Sequence, residues 1–183
     1  FESDKLSALS SIAIILEKNG LLKKAIDTVK SINNDYVKSQ TVSTIAKSMA
    51  MSLAEKGLFE KAFKTTTIIK VNSIKSETIM EITTFLAKYG LFEESISTAA
   101  SIMGTSDRAQ ALSSIAMILM EHGQSVRANN IFEKAIDTAK NINDIDDRAQ
   151  AIKEITKILT SYGLFEKAIS TAYSISFEFD KTQ

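Results

Sequence analysis

The chain has 183 residues, of which 44% are hydrophobic and 24% charged, and it contains no Cys, Pro or Trp. This composition excludes a disordered tail, and the lack of Cys excludes disulfides, thiol nucleophiles and thiolate metal sites. Lys plus Arg and Asp plus Glu both number 22, so the net charge is zero, which argues against nucleic acid as a partner because phosphate contacts need a basic excess.

Five of the six glycines, Gly20, Gly57, Gly90, Gly123 and Gly163, mark one recurring landmark, spaced 37, 33, 33 and 40 residues apart. Sixteen residues before three of them stand Asp4, Asp107 and Asp147, each followed by Lys or Arg. Units therefore start near residues 4, 37, 74, 107 and 147. In the first, Leu9, Ile12, Ala13 and Leu16 form one stripe of a helix. Gly20 then ends that helix, since Gly takes the left-handed C-terminal conformation cheaply. A second helix follows, with Ala25, Ile26, Val29 and Ile32 as its small and apolar face.

The second unit opens at Asn33-Asn34-Asp35, residue types that cap helix N-termini. It carries four extra residues between Ala46 and Gly57, and its stripe runs on through Met49, Ala50 and Leu53. Four residues is about one helical turn, so the buried face stays in phase. Its second helix reads "GLFEKAFKTTTII" from Gly57. In the third unit the stripe is Ile79, Ile82, Thr83 and Leu86, and "GLFEESISTAASI" follows from Gly90. Glu93 and Glu94 read as a solvated face pairing with nearby Lys.

The fourth unit opens on Ser106-Asp107, again residue types that cap helix N-termini, in "SDRAQAL", with Leu112, Ile115, Ala116 and Leu119 as its stripe. His122, the only His, sits where a helix C-terminus favours a partly positive ring. Seven extra residues, about two turns, separate Gly123 from "IFEKAIDTA", in which Glu133 again reads as a solvated position. The fifth unit opens on Asn143-Asp144-Ile145-Asp146-Asp147 and "DRAQAI". This acidic run lacks the Gly and distal Glu of a calcium loop and reads as capping. Ile152, Ile155, Thr156 and Leu159 form the stripe, and "GLFEKAISTAYSI" closes the unit with Ala168, Ile169, Ala172 and Ile175. "DKTQ" at Asp180 matches "DRAQ" in register, predicting a truncated sixth unit. Tyr173, Phe177 and Phe179 lie before it with little polar cover, which predicts packing against further units or a second copy.

The expected fold is all-α: a single helical-repeat domain over residues 1–183, an α-solenoid of about five antiparallel helix hairpins. The longest aliphatic run, Ile115 to Met120, is far short of the roughly 20 residues that span a bilayer, so no membrane is expected.

Gly123, Ala128, Phe132 and Ala135, with Ile115-Ala116 before them, resemble the tetratricopeptide repeat family, which also pairs helices around a Gly and sets a small residue, an aromatic and an Ala at fixed steps. The chain departs from that family in lacking its Trp and Pro, in spacing, and in placing Val29, Thr66, Ala99 and Ala172 where the aromatic belongs. "G-x-x-E-K-A" also resembles pentatricopeptide repeats, which read single-stranded RNA. The neutral charge and variable unit length rank that reading lower.

In the tetratricopeptide family the first helices line a concave face that holds a peptide or a partner helix. The resemblance implies that face here at Ser7, Ser10, Ser11 and Ile14, then at Gln40, Ser43, Thr44 and Lys47, then at Glu77, Met80, Glu81 and Thr84. It continues at Gln110, Ser113, Ser114 and Met117, and at Gln150, Lys153, Glu154 and Lys157. No phosphate loop, G-x-S-x-G or nucleophile–base pair is present in the sequence. The expectation is a non-catalytic scaffold for a protein or peptide, with no cofactor and no metal. The alternative is a structural spacer or docking arm of a larger assembly.

Overall fold

In the computed structural model, which describes residues 2–176, the chain runs α1 (Glu2–Lys18), α2 (Leu22–Lys30), α3 (Asp35–Glu55), α4 (Phe59–Thr65), a 3-10 turn (Thr66–Ile68) and α5 (Asn72–Lys88). It continues through α6 (Phe92–Ala100), α7 (Thr105–Glu121), α8 (Ser125–Lys140), α9 (Ile145–Ser161) and α10 (Phe165–Ser176), with no strand among the described residues. The chain is all-α. The expected features at Phe177, Phe179 and Asp180 lie outside the described residues.

Helix lengths follow the insertions. α1, α5, α7 and α9 each have 17 residues, whereas α3 has 21. α2 and α6 have 9 residues and α8 has 16. The four extra residues add one turn to α3 and the seven add two turns to α8. Helix starts differ slightly from the sequence landmarks. The odd-numbered helices begin at Glu2, Asp35, Asn72, Thr105 and Ile145, two residues before the expected unit starts, because the chain becomes helical before it reaches the "DR" word.

Among the described residues, the five landmark glycines are the five with positive φ, between 70° and 77°. At each, the glycine N–H donates back to the third residue before it, and the next N–H donates to the fifth residue before its own position, as in Gly123 to Met120 (2.9 Å) and Gln124 to Leu119 (2.8 Å). This closes off carbonyls that the helix end would otherwise leave unpaired. The residue after the glycine then accepts the first hydrogen bond of the next helix, as Leu21 does from Ala25 (3.0 Å) and Leu164 from Ala168 (2.9 Å). The fifth residue after each glycine is small and buried: Ala25, Ala62, Ser95, Ala128 and Ala168. Ser95 Oγ donates to the Thr83 carbonyl at 2.7 Å, so its one polar atom is satisfied inside.

Two of the three expected capping clusters act as caps. Asn34 accepts from Val37 N (2.9 Å) and Asp144 from Asp147 N (2.9 Å). At α7 the N-cap is Gly104, which has no side chain to cap with, and Ser106 and Asp107 fall inside the first turn. The arginines of the two "DRAQA" words reach back to carbonyls two residues past the end of the preceding helix. Arg108 donates to Ile102 O (3.0 Å) and Arg148 to Ile142 O (2.9 Å). Each guanidinium thereby ties a helix start to the connecting segment that precedes it.

The chain divides into two compact bodies, Phe1–Ile82 and Thr83–Gln183, with the division inside α5. In the first, α1 packs on α2 and α3, and α3 on α4. Ala13, Val29 and Ile45 form a buried cluster joined by Ile14, Val42 and Met49. In the second, α7 packs on α6, α8 and α9, and α9 on α8 and α10. Leu112, Ile115, Ala116 and Leu119, Phe132 of α8, and Ile152, Ile155 and Leu159 of α9 are all buried. The expected stripes fail at two places: Ile12 and Ile26 in the first pair and Ile169 in α10 are exposed.

Candidate partner-binding face

The side chains expected at the binding face sit on the odd-numbered helices, and the structure sorts them into different environments. Ser43 and Ser113 are buried, which corrects their expected place at an open surface. Ser43 Oγ accepts from the N–H groups of Lys70 and Val71, both at 3.3 Å. Ser113 Oγ donates to Ala109 O at 2.9 Å and stands at the floor of a cleft. Both hydroxyls are the seventh residue of their unit. Ser10 in the same register accepts from Thr41 Oγ1 of α3 at 2.8 Å, so in the first pair this register faces the following odd-numbered helix.

In the first body, three expected residues meet. Lys47 Nζ of α3 lies 2.9 Å from Glu77 Oε1 and 2.9 Å from Glu81 Oε1, both of α5. The two carboxylates are one turn apart and would repel each other without the shared cation. Burial lowers the Lys47 pKa, but the hydrogen bonds and charges of Glu77 and Glu81 outweigh it, and the net shift is upward. Gln40 donates to the Tyr36 hydroxyl (3.1 Å), and Thr44 Oγ1 donates to Gln40 O (3.0 Å). Met80 is half-buried.

In the second body, a cleft of ≈ 140 Å³ opens between α7 and α9, lined by Ser106, Gln110, Ser114, Ala151 and Glu154, with Ser113 and Ile155 beneath. Gln110 and Glu154 are exposed there, and Ser114 is half-buried with its hydroxyl donating to Gln110 O at 3.1 Å. Met117 and Thr84 are half-buried. Gln150, Lys153 and Lys157 do not face the α7–α9 cleft. They line a separate groove of ≈ 470 Å³ with Ala172 and Ile175 of α10, and Gln150 Nε2 donates to Glu154 Oε1 at 2.7 Å. On another side a wider groove of ≈ 520 Å³ runs between α6 and α8, lined by Ile96, Ala100, Arg108, Lys134 and Asp137.

Two contacts were not legible from spacing. Glu93 pairs with Arg127 rather than with a lysine, and Glu133 pairs with Lys167 at 2.9 Å. His122 meets the Phe92 ring edge-on, with centroids 5.5 Å apart and planes at 83°. The Arg127 guanidinium carbon lies 5.5 Å from the same ring, within cation–π range. On the side of α7 and α9, the Tyr162 hydroxyl donates to Glu121 Oε1 at 3.5 Å, and burial with this carboxylate raises its pKa. Among the described residues no group of three or more His, Asp or Glu side chains could hold a metal ion, and no helix is long and apolar enough to cross a membrane.

Compared with known proteins, the chain matches no protein-family model and no curated sequence.

Proposed function

We propose that the chain is a non-catalytic scaffold of stacked helix hairpins, an α-solenoid resembling the tetratricopeptide repeats, whose odd-numbered helices hold a protein or peptide partner. The observation that carries this reading is the α7–α9 cleft. Its rim presents an amide, a hydroxyl and a carboxylate from Gln110, Ser114 and Glu154 over a floor of Ala109, Ile155 and Ser113. Such a mixture suits an extended backbone, which offers N–H and C=O groups and small apolar contacts together. The warrant that extends this from one cleft to a class of function is analogy of fold.

The test is affinity capture with the intact chain, comparing wild type with Ser114→Arg, which fills the cleft, and with Lys134→Glu on the α6–α8 groove. A partner retained by Lys134→Glu and lost by Ser114→Arg supports the cleft. A partner lost only by Lys134→Glu moves the interface to the even-numbered helices and contradicts the proposal.

A further inference from the structure

In three contacts between helices of this chain, carboxylates hold a cation: Lys47 lies between Glu77 and Glu81, Arg127 at Glu93 and Lys167 at Glu133. On the seam between α7 and α9 the donors are neutral instead. Glu154 Oε1 accepts from the Gln150 amide at 2.7 Å, and Glu121 Oε1 accepts from the Tyr162 hydroxyl at 3.5 Å. Both carboxylates are exposed.

The two stand along one face. Gln110, Ser114 and Glu121 follow one another at steps of four and seven on α7, the spacing of a single helical stripe. Tyr162, which reaches Glu121, follows Glu154 and Ile158 at steps of four. The basic residues of the same two helices are engaged on other sides. Arg108 and Arg148 reach back to Ile102 O and Ile142 O, and Lys153 and Lys157 line the α9–α10 groove. The seam thus offers two negative charges, and neither helix sets a cation against them.

The cleft on this seam is small. Its ≈ 140 Å³ is well below the roughly 300 Å³ at which small-molecule pockets begin. Ser113 on its floor has already given its proton to Ala109 O. One small aliphatic side chain suits that space, against Ala109 and Ile155. Glu121 stands seven residues beyond Ser114, about 10 Å along the helix, which about three residues of extended chain would cover. We infer, resting on the function proposed above, that the partner held in this cleft is a basic extended segment. A small aliphatic side chain fills the cleft, one Lys or Arg of the segment pairs with Glu154, and a second pairs with Glu121. An acidic segment meets like charge at both places and is rejected.

Fluorescence anisotropy of the intact chain with three labelled, end-blocked nonapeptides tests this. The basic peptide has Val at its centre, Arg two places before it and Lys two places after, with Ser and Gly elsewhere. The other two carry Gln or Glu in place of both basic residues. Alternate residues of an extended chain share one side, so Val and both cations face the cleft in either chain direction. The basic peptide should bind about fivefold more tightly than the neutral one, as two exposed ion pairs allow, and the acidic peptide should not bind. Glu154→Lys combined with Glu121→Lys should reverse that order. Ser114→Arg should abolish binding, and Glu166→Lys, an exposed charge on α10, should leave it unchanged. Three peptides that bind alike, all abolished by Ser114→Arg, overturn the basic segment while the cleft stands as the binding site. A preference for the acidic peptide, no binding of the basic one, or an order that survives the double charge reversal also overturns it. The fate of the captured partner in Ser114→Arg judges the proposed function separately.

Discussion

Gly123 sits at φ 70° with open space where a Cβ would stand, whereas Gly104 has an ordinary φ of −70° and a would-be Cβ only 2.8 Å from Asp107 Oδ2. The two glycines are needed for different reasons. At Gly123 the cost of a side chain is backbone strain alone, so Gly123→Ala should destabilise the chain by about 1 kcal/mol in urea unfolding. At Gly104 the obstruction is the tip of a flexible carboxylate, which can turn aside, and Gly104→Ala should cost less than Gly123→Ala. A reversed order would contradict this assignment of the turn. Lys47 makes a second prediction at this scale. Its pKa is higher folded than unfolded, so the folded chain holds that proton more tightly. The resulting stabilisation is complete below the ordinary lysine value of 10.5 and fades as pH rises through the higher folded value. Lys47→Met should remove this alkaline step and cost about 1 kcal/mol near neutrality, as Glu77 and Glu81 lose their shared partner. Unfolding measured on both sides of the lysine value checks the sign.

At the scale of elements, the seven extra residues of α8 add nearly two whole turns and displace its buried face by only about 20°. Deleting residues 124–130 should therefore leave a cooperatively folding chain, since Phe132 and Ala135 return to the buried side. Deleting five residues from the same stretch turns that face by about 140° and should abolish the cooperative transition. Phe132 is fully buried, and Phe132→Ala should cost about 3–5 kcal/mol. These elements were legible because glycine spacing and helical phase are local properties. The inserted turns of α3 and α8, the five turn glycines and the small fifth residue all follow from short-range pattern. The contents of the candidate site were less legible. Whether Ser43 is a surface hydroxyl or a buried acceptor depends on the Lys70 and Val71 N–H groups, which lie 27 and 28 residues away. Ser113 and Lys153 occupy one register, but one is buried and the other exposed, because packing partners differ along the chain. The preference of Glu93 for Arg127 over a lysine is likewise a long-range fact. The back-bonds of Arg108 and Arg148, by contrast, span only six residues, and the repeated "DR" word marked those positions as alike.

At the scale of the whole molecule, the net charge is zero, so there is no net positive charge to attract a polyanion. Affinity in the proposed function must then come from short-range complementarity at the odd-numbered helices. Salt should consequently change partner binding little, in contrast to the steep loss expected of phosphate contacts. The most direct test is hydrogen–deuterium exchange of the chain with and without its captured partner. The account predicts slowed exchange along α7 and α9 around Gln110, Ser114 and Glu154, with α6 and α8 unchanged. Protection confined to α6 and α8 would contradict it and place the partner in the groove of Lys134 and Asp137.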